Sequence, residues 1–218
     1  MRRGPGGVGS LDRTAAAALR RVQLGRLRCE TVGATIEDWA KVRGDASTAS
    51  KWAKGALVQI DRFLEAWTAA HSRAAEKPPV IDYDARSQAF VDGYFMVLAA
   101  DRVRKTLTNG AHEDLVELLP APAEWELLNA ETGIVAGAEY LRHVRNAHEH
   151  DDEDGRFEKG YGYSHRWTVG SAADPYNLNF GGVTIGPLFD AMKSIMETLD
   201  ARGAEASTAI ERLTKERS

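Results

Sequence analysis

LRHVRNAHEH, residues 141–150, places two arginines, an asparagine and three histidines in ten residues. The run before it, Glu131–Tyr140, has no proline and is rich in Ala, Ile and Val. Ile134, Ala138, Leu141, Val144 and His148 recur at steps of three and four, the spacing of one helical face. The spacing predicts that the stretch closes a helix, which the acidic run Asp151–Asp154 and Gly155 then end. At about 100° per residue, Arg145 and His150 fall roughly 140° apart round an ideal helix, whereas Asn146 and His150 share a face. Either the helix ends near 148–150, or a second protomer completes whatever site these residues form.

Arg145 and His150 have four residues between them, with Asn146 directly after the arginine. Arg142 and His148 repeat the pattern with five between. In these residues the chain resembles the HEPN superfamily, whose signature is an Arg followed after four to six residues by a His, often with a polar residue beside the Arg. The resemblance covers the motif closely and residues 45–150 by helix order. It implies an all-α bundle that dimerises with the motif at the shared cleft. It also implies a metal-independent endoribonuclease, with RNA as substrate and no cofactor. A toxin or phage-defence role follows, with an antitoxin or other defence-system protein as partner.

The chemistry suits these residue types. Metal-free RNA cleavage needs a base for the 2′-hydroxyl proton, an acid for the leaving 5′-oxygen and a cation for the developing phosphorane charge. Histidine titrates near neutral pH and can serve as either acid or base. Arginine stays charged and offers a fixed fork of donors to phosphate oxygens. The expected roles are phosphate binding for Arg145, acid or base for His150 and orientation for Asn146. Arg142, His148 and Glu149 are auxiliary, and His143 is expected at the surface or an interface. One chain supplies one such histidine, and a two-fold dimer with facing motifs supplies a second.

Other readings use the same residues. The first is a catalytically inert, HEPN-like dimeric scaffold that binds a partner, with the Arg/His cluster a solvated helix end whose cations suit the dipole. The second is a metal-dependent hydrolase, because His148, Glu149, His150, Asp151, Asp152 and Asp154 form a dense set of ligands suited to Mn or Zn. Consecutive ligands point all round a helix, however, and no second ligand cluster such as HExxH accompanies them. The third is a DNA-binding regulator. Residues 33–44 are similar to the first half of a bacterial helix-turn-helix, with Gly44 in the turn, but Asp45 and Ser50 fall where that pattern needs apolar residues.

The chain has 218 residues, 43% of them apolar, and a formal net charge of −4, so broad non-specific affinity for nucleic acid is not expected. A local basic site remains compatible with that charge. Cys29 is the one cysteine, which excludes an intrachain disulfide and fits a reducing compartment. No apolar run reaches the ~20 residues of a membrane span. No apolar stretch follows Arg2–Arg3 as a secretory signal would require. The expectation is a cytoplasmic protein, and the Ala- and Arg-rich usage fits a bacterial one.

Residues 1–10 are Gly-rich and read as a disordered tail, and 11–44 as a basic helical segment with Arg13, Arg20, Arg21, Arg26 and Arg28 against Asp12. Residues 45–218 form the bundle. Thr35 looks like the cap of a short helix through Val42, and Asp45 like the N-cap of a long one reaching Glu76. Ala53, Leu57, Ile60, Phe63, Leu64 and Trp67 make one apolar stripe. Lys77-Pro78-Pro79 stops it, and Val80–Tyr83 is a short linker. Arg86–Thr108 is the next long helix, with Phe90, Tyr94, Val97, Leu98 and Leu107 spaced for the core. Asp101 and Arg102 on its last turns are candidates to support Arg145. Glu113–Leu119 is a short helix cut by prolines, and the motif helix begins near Glu124 or Glu131. The period then changes to two, so one β-hairpin is expected near 160–186: Tyr161–Val169 and Leu178–Ile185, with Gly181-Gly182 as a bulge. Its aromatic face could stack bases or pack on the helices. Pro187 opens a helix through Leu199, and another follows around Ala209–Lys215.

Overall fold

The computed structural model describes residues 34–108, 110–120, 141, 142, 145, 168, 169, 174–180 and 183–217. Among these residues three long helices dominate: α1 (Ile36–His71), α2 (Tyr83–Thr108) and α3 (Ile185–Glu216). A 3-10 helix (Glu113–Leu118) follows α2, and short strands β1 (Thr168–Val169), β2 (Asn179–Phe180) and β3 (Val183–Thr184) precede α3. The expected all-α bundle with a small antiparallel β element is the fold. No helix among the described residues is long and apolar enough to cross a membrane.

α1 begins with a reciprocal cap. The Thr35 hydroxyl accepts from the Asp38 backbone N–H, and the Asp38 carboxylate accepts from the Thr35 N–H at 2.9 Å. The helix then runs unbroken to His71. The turn expected at Gly44 is absent, and with it the helix-turn-helix geometry. The expected division at 44/45 falls inside α1. Asp45 does not cap its own helix: its carboxylate accepts from the Ala111 backbone N–H at 3.0 Å and ties the segment after α2 to α1.

The reason α1 needs no break is its heptad. Ala46, Ala49, Ala53, Ala56, Ile60, Phe63, Trp67 and Ala70 are its buried residues, at alternating steps of three and four. That is the 3.5-residue repeat of a coiled-coil seam. Its alanines present little bulk to the core at one end, while Ile60, Phe63 and Trp67 fill it at the other. Truncating fully buried Ile60 to Ala would cost about 2–5 kcal/mol. α1 packs along both α2 and α3. On α3, Ile185, Leu188, Met192, Ile195, Leu199, Ala206 and Ala209 repeat the heptad, so that helix is also continuous, through Gly203 to Glu216. Two helices had been expected there. Pro187 lies in its first turn, where a missing N–H costs nothing.

α2 starts earlier than Arg86 because Asp82 caps it, accepting from the Asp84 and Ala85 N–H groups at 3.0 Å each. Ala89, Gly93, Met96, Ala100, Val103 and Leu107 form one buried row, again at heptad steps. A second buried row carries Val97, Asp101 and Arg104. Of the residues expected in the core, Val97 and Leu107 are buried, whereas Phe90, Tyr94 and Leu98 are half-buried.

The sheet corrects a second expectation. The stretch Leu178–Ile185 is not one bulged strand but two antiparallel ones, with Asn179 opposite Thr184 and Phe180 opposite Val183. Two residues, Gly181 and Gly182, separate them in sequence, a pair that suits tight two-residue hairpins. β1 pairs with the other edge of β2, giving the order β1-β2-β3. Phe180 anchors this sheet in the bundle. It is fully buried, edge-on to Phe63 at 5.5 Å between centroids and tilted against Phe90 at 6.1 Å. Gly93 makes room for it: a Cβ there would lie 2.5 Å from the Phe180 ring. The one aromatic of the β segment seen in this contact therefore packs on helices.

Candidate functional site

Leu141, Arg142 and Arg145 have helical backbone, as the spacing of the motif predicts. Leu141 is buried in the main core, Arg142 is exposed and Arg145 is half-buried. The helix therefore seats itself through Leu141 and turns Arg145 inward. This distinguishes the two arginines of the overlapping patterns. His143, Asn146, His148, Glu149 and His150 lie outside the described residues, as do the acidic run 151–154, residues 161–167, Cys29 and the basic segment 11–28.

Arg145 meets Asp101. One terminal guanidinium nitrogen donates to Asp101 Oδ2 at 2.8 Å. The other carboxylate oxygen accepts from Arg104 Nε, also at 2.8 Å. Asp101 is completely buried, and the Arg104 and Arg145 side chains retain only 8% and 20% of their exposure. Each charge is compensated by close contact, as burial requires. A guanidinium has five N–H donors, so an ion pair through one nitrogen is compatible with a second contact to phosphate.

Asp101 sits where it does because α2 presents two buried rows. The second row would be apolar but for Asp101 and Arg104, which are three residues apart and so reach each other on one helix face. Of the two residues expected to support Arg145, Asp101 does so and Arg102 does not: Arg102 is exposed, on another side of α2. Arg104, on the same turns, was not among the expected residues. A charged residue within a run of small apolar ones, Leu98-Ala99-Ala100-Asp101, was the available signal.

A second polar cluster was missed altogether. Arg202 of α3 forks onto Asp114 with contacts of 2.9 and 2.6 Å, and a terminal nitrogen lies 3.2 Å from His112 Nδ1. His112 Nε2 lies 3.0 Å from the Val42 carbonyl. The carbonyl can only accept, so Nε2 carries the proton and Nδ1 accepts from Arg202. Burial pushes the His112 pKa down, the Val42 carbonyl opposes this and Arg202 adds to it. Burial alone would raise the Asp114 carboxyl, but the Arg202 fork outweighs it and holds that carboxyl below the usual range. Arg202 occupies the heptad position between Leu199 and Ala206, so an arginine on an apolar stripe was the signal. The arrangement ties α1, the 3-10 helix and α3 together and contains no nucleophile aimed at solvent.

Among the described residues, no group of three or more His, Cys, Asp or Glu gathers as a metal site. The ligand set proposed at 148–154 lies outside them. Comparison with family models, curated proteins and solved structures finds no match for this chain.

Proposed function

We propose that the chain is a metal-independent endoribonuclease of the HEPN type, acting on RNA within a toxin or phage-defence system. The observation that supports it is the Asp101 carboxylate, which is wholly buried and grips the motif arginine and Arg104 together. Pre-set cations need no reorganisation when charge develops on a phosphorane, and that is the largest single contribution in many active sites. In this reading Asp101 is a positioning residue. It holds the Arg145 guanidinium at a fixed height beside the motif helix. Arg145 binds and stabilises the scissile phosphate, His150 exchanges the proton of the 2′-hydroxyl or of the leaving oxygen, and Asn146 orients one of them. Arg142, His148 and Glu149 line the approach.

The same ion pair favours a second reading, an inert HEPN-like scaffold in which Arg145 only locks its helix onto α2. Expression in a bacterial host separates the two. The ribonuclease reading expects growth arrest and fragmented RNA with the wild type, and normal growth and intact RNA with His150→Ala. Equal growth and intact RNA in both supports the scaffold.

A further inference from the structure

The solvent-facing side of α2 is apolar in its middle and oppositely charged at its ends. Asp84, Gln88, Val91, Phe95, Leu98 and Arg102 follow one another at steps of three and four. On a wheel of ~3.6 residues per turn they share one straight stripe. Val91 and Phe95 are 49% and 46% exposed, and Leu98 beside them is half-buried. Of the rest of α2 at this level, Asp92, Gly93, Met96, Val97, Ala99 and Ala100 are buried and Tyr94 is half-buried. The stripe thus carries the exposed apolar residues of the central turns of α2 among the described residues.

We infer that this stripe is a self-association surface, on which a second copy of the chain packs its own α2 antiparallel about a two-fold axis passing near Phe95. The charge order argues for this occupant. A two-fold through residue 95 pairs positions that sum to about 190. Each Phe95 then meets its counterpart, and Val91 meets Leu98 of the other copy. Asp84 then lies opposite Lys105, and Gln88 opposite Arg102, twice. A parallel pairing would set Asp84 against Asp84 and Arg102 against Arg102. An antiparallel isologous contact satisfies every position of the stripe with one surface, as a two-fold requires. The heptad steps match those of helices that pack nearly along each other.

This surface is not the one the family resemblance implies. Asp101, and with it Arg145, lies roughly 120° round α2 from Phe95. Association through the stripe stands apart from the motif, and the inference does not rest on the ribonuclease reading. Its readout is association, so either idea can fail without the other.

The test is sedimentation equilibrium of the full chain, with helicity followed by circular dichroism. The wild type is expected to show a concentration-dependent monomer–dimer equilibrium. Phe95→Asp should raise the dimer dissociation constant at least about tenfold at unchanged helicity. Val58→Asp replaces an equally exposed apolar residue of α1 and should leave that constant unaltered. With Cys29→Ser as background, Phe95→Cys should give a covalent dimer on mild oxidation, because the axis brings the two positions within disulfide reach, and Val58→Cys should not. A wild type that stays monomeric at every accessible concentration overturns the inference. So does a dimer that Phe95→Asp leaves intact, that Val58→Asp weakens as much, or that fails to cross-link through Phe95→Cys.

Discussion

Asp101 and Arg145 are 44 residues apart in the chain and 2.8 Å apart in the fold. The contact joins the most charged turn of the motif to a carboxylate that no solvent reaches. It gives Arg145 a fixed place, and it makes the motif helix and α2 depend on each other.

That dependence is measurable. Asp101→Asn keeps the shape but removes the charge between two mostly buried guanidiniums. Breaking such a pair from one side costs about 3–5 kcal/mol, and the partial exposure of Arg145 puts the expected loss at the lower end. Urea denaturation of the variant should show a lower midpoint with an unchanged slope. A loss below about 0.5 kcal/mol, the size of a surface substitution, would mean that the triad does not hold the fold together.

The His112 cluster predicts how stability varies with pH. His112 is buried and faces the Val42 carbonyl and Asp45 from α1, Arg202 from α3 and Asp114 on its own segment. Its pKa in the fold lies below that of the unfolded chain, near 6.5. Above ~6.5 both states carry a neutral imidazole and the contribution is fully present. As pH falls below that value the unfolded chain takes up the proton first, so stability declines until the folded value is passed. For one group the slope is at most about 1.4 kcal/mol per pH unit. Denaturation at pH 8, 6.5 and 5 should show this decline in the wild type and a smaller one in His112→Gln. Asp114, whose folded value is also lowered, adds its own loss only at acid pH near and below its ordinary range.

Two glycines of long helices should respond in opposite senses. Gly44 has nothing within 4 Å of an added Cβ, and it lies inside α1. Gly44→Ala should stabilise by roughly 1 kcal/mol through helix propensity. Gly93 gains the same propensity, but its Cβ would strike the buried Phe180 ring. Gly93→Ala should therefore destabilise by up to about 2 kcal/mol, the usual ~1–3 kcal/mol cost of overpacking less a propensity gain of about 1. Thermal melts decide both. Destabilisation by Gly44→Ala would indicate that α1 bends there after all.

Much of the helical framework was legible from spacing. The stripe through Ile60, Phe63 and Trp67, the cap at Thr35 and the helix under Leu141 and Arg145 all follow from periodicity and end signals. The breaks were less legible, because local signals overstated them. Gly44, Asp45 and Gly203 look like helix ends in isolation, yet the heptads of α1 and α3 continue across them, and a buried seam outweighs one residue's propensity. Gly181-Gly182 looked like a bulge because both flanking dipeptides read as one strand. Asp101 and Arg102 could both be named as candidates beside Arg145, but neither their nearness to it nor the choice between them was legible, since face against face is a tertiary fact. Arg202 could have been noticed, because an arginine on an apolar stripe is an anomaly that needs a partner.

Ribonuclease action is read most directly from the end chemistry of RNA incubated with the purified chain in excess EDTA. Attack by the 2′-hydroxyl should leave 2′,3′-cyclic phosphate and 5′-hydroxyl ends. The wild type is predicted to produce them with EDTA present, His150→Ala to produce none, and Arg145→Lys to lose at least about a hundredfold in rate, since an ammonium lacks the planar fork. Cleavage that EDTA abolishes, cleavage with other ends, or equal cleavage by His150→Ala would contradict the account.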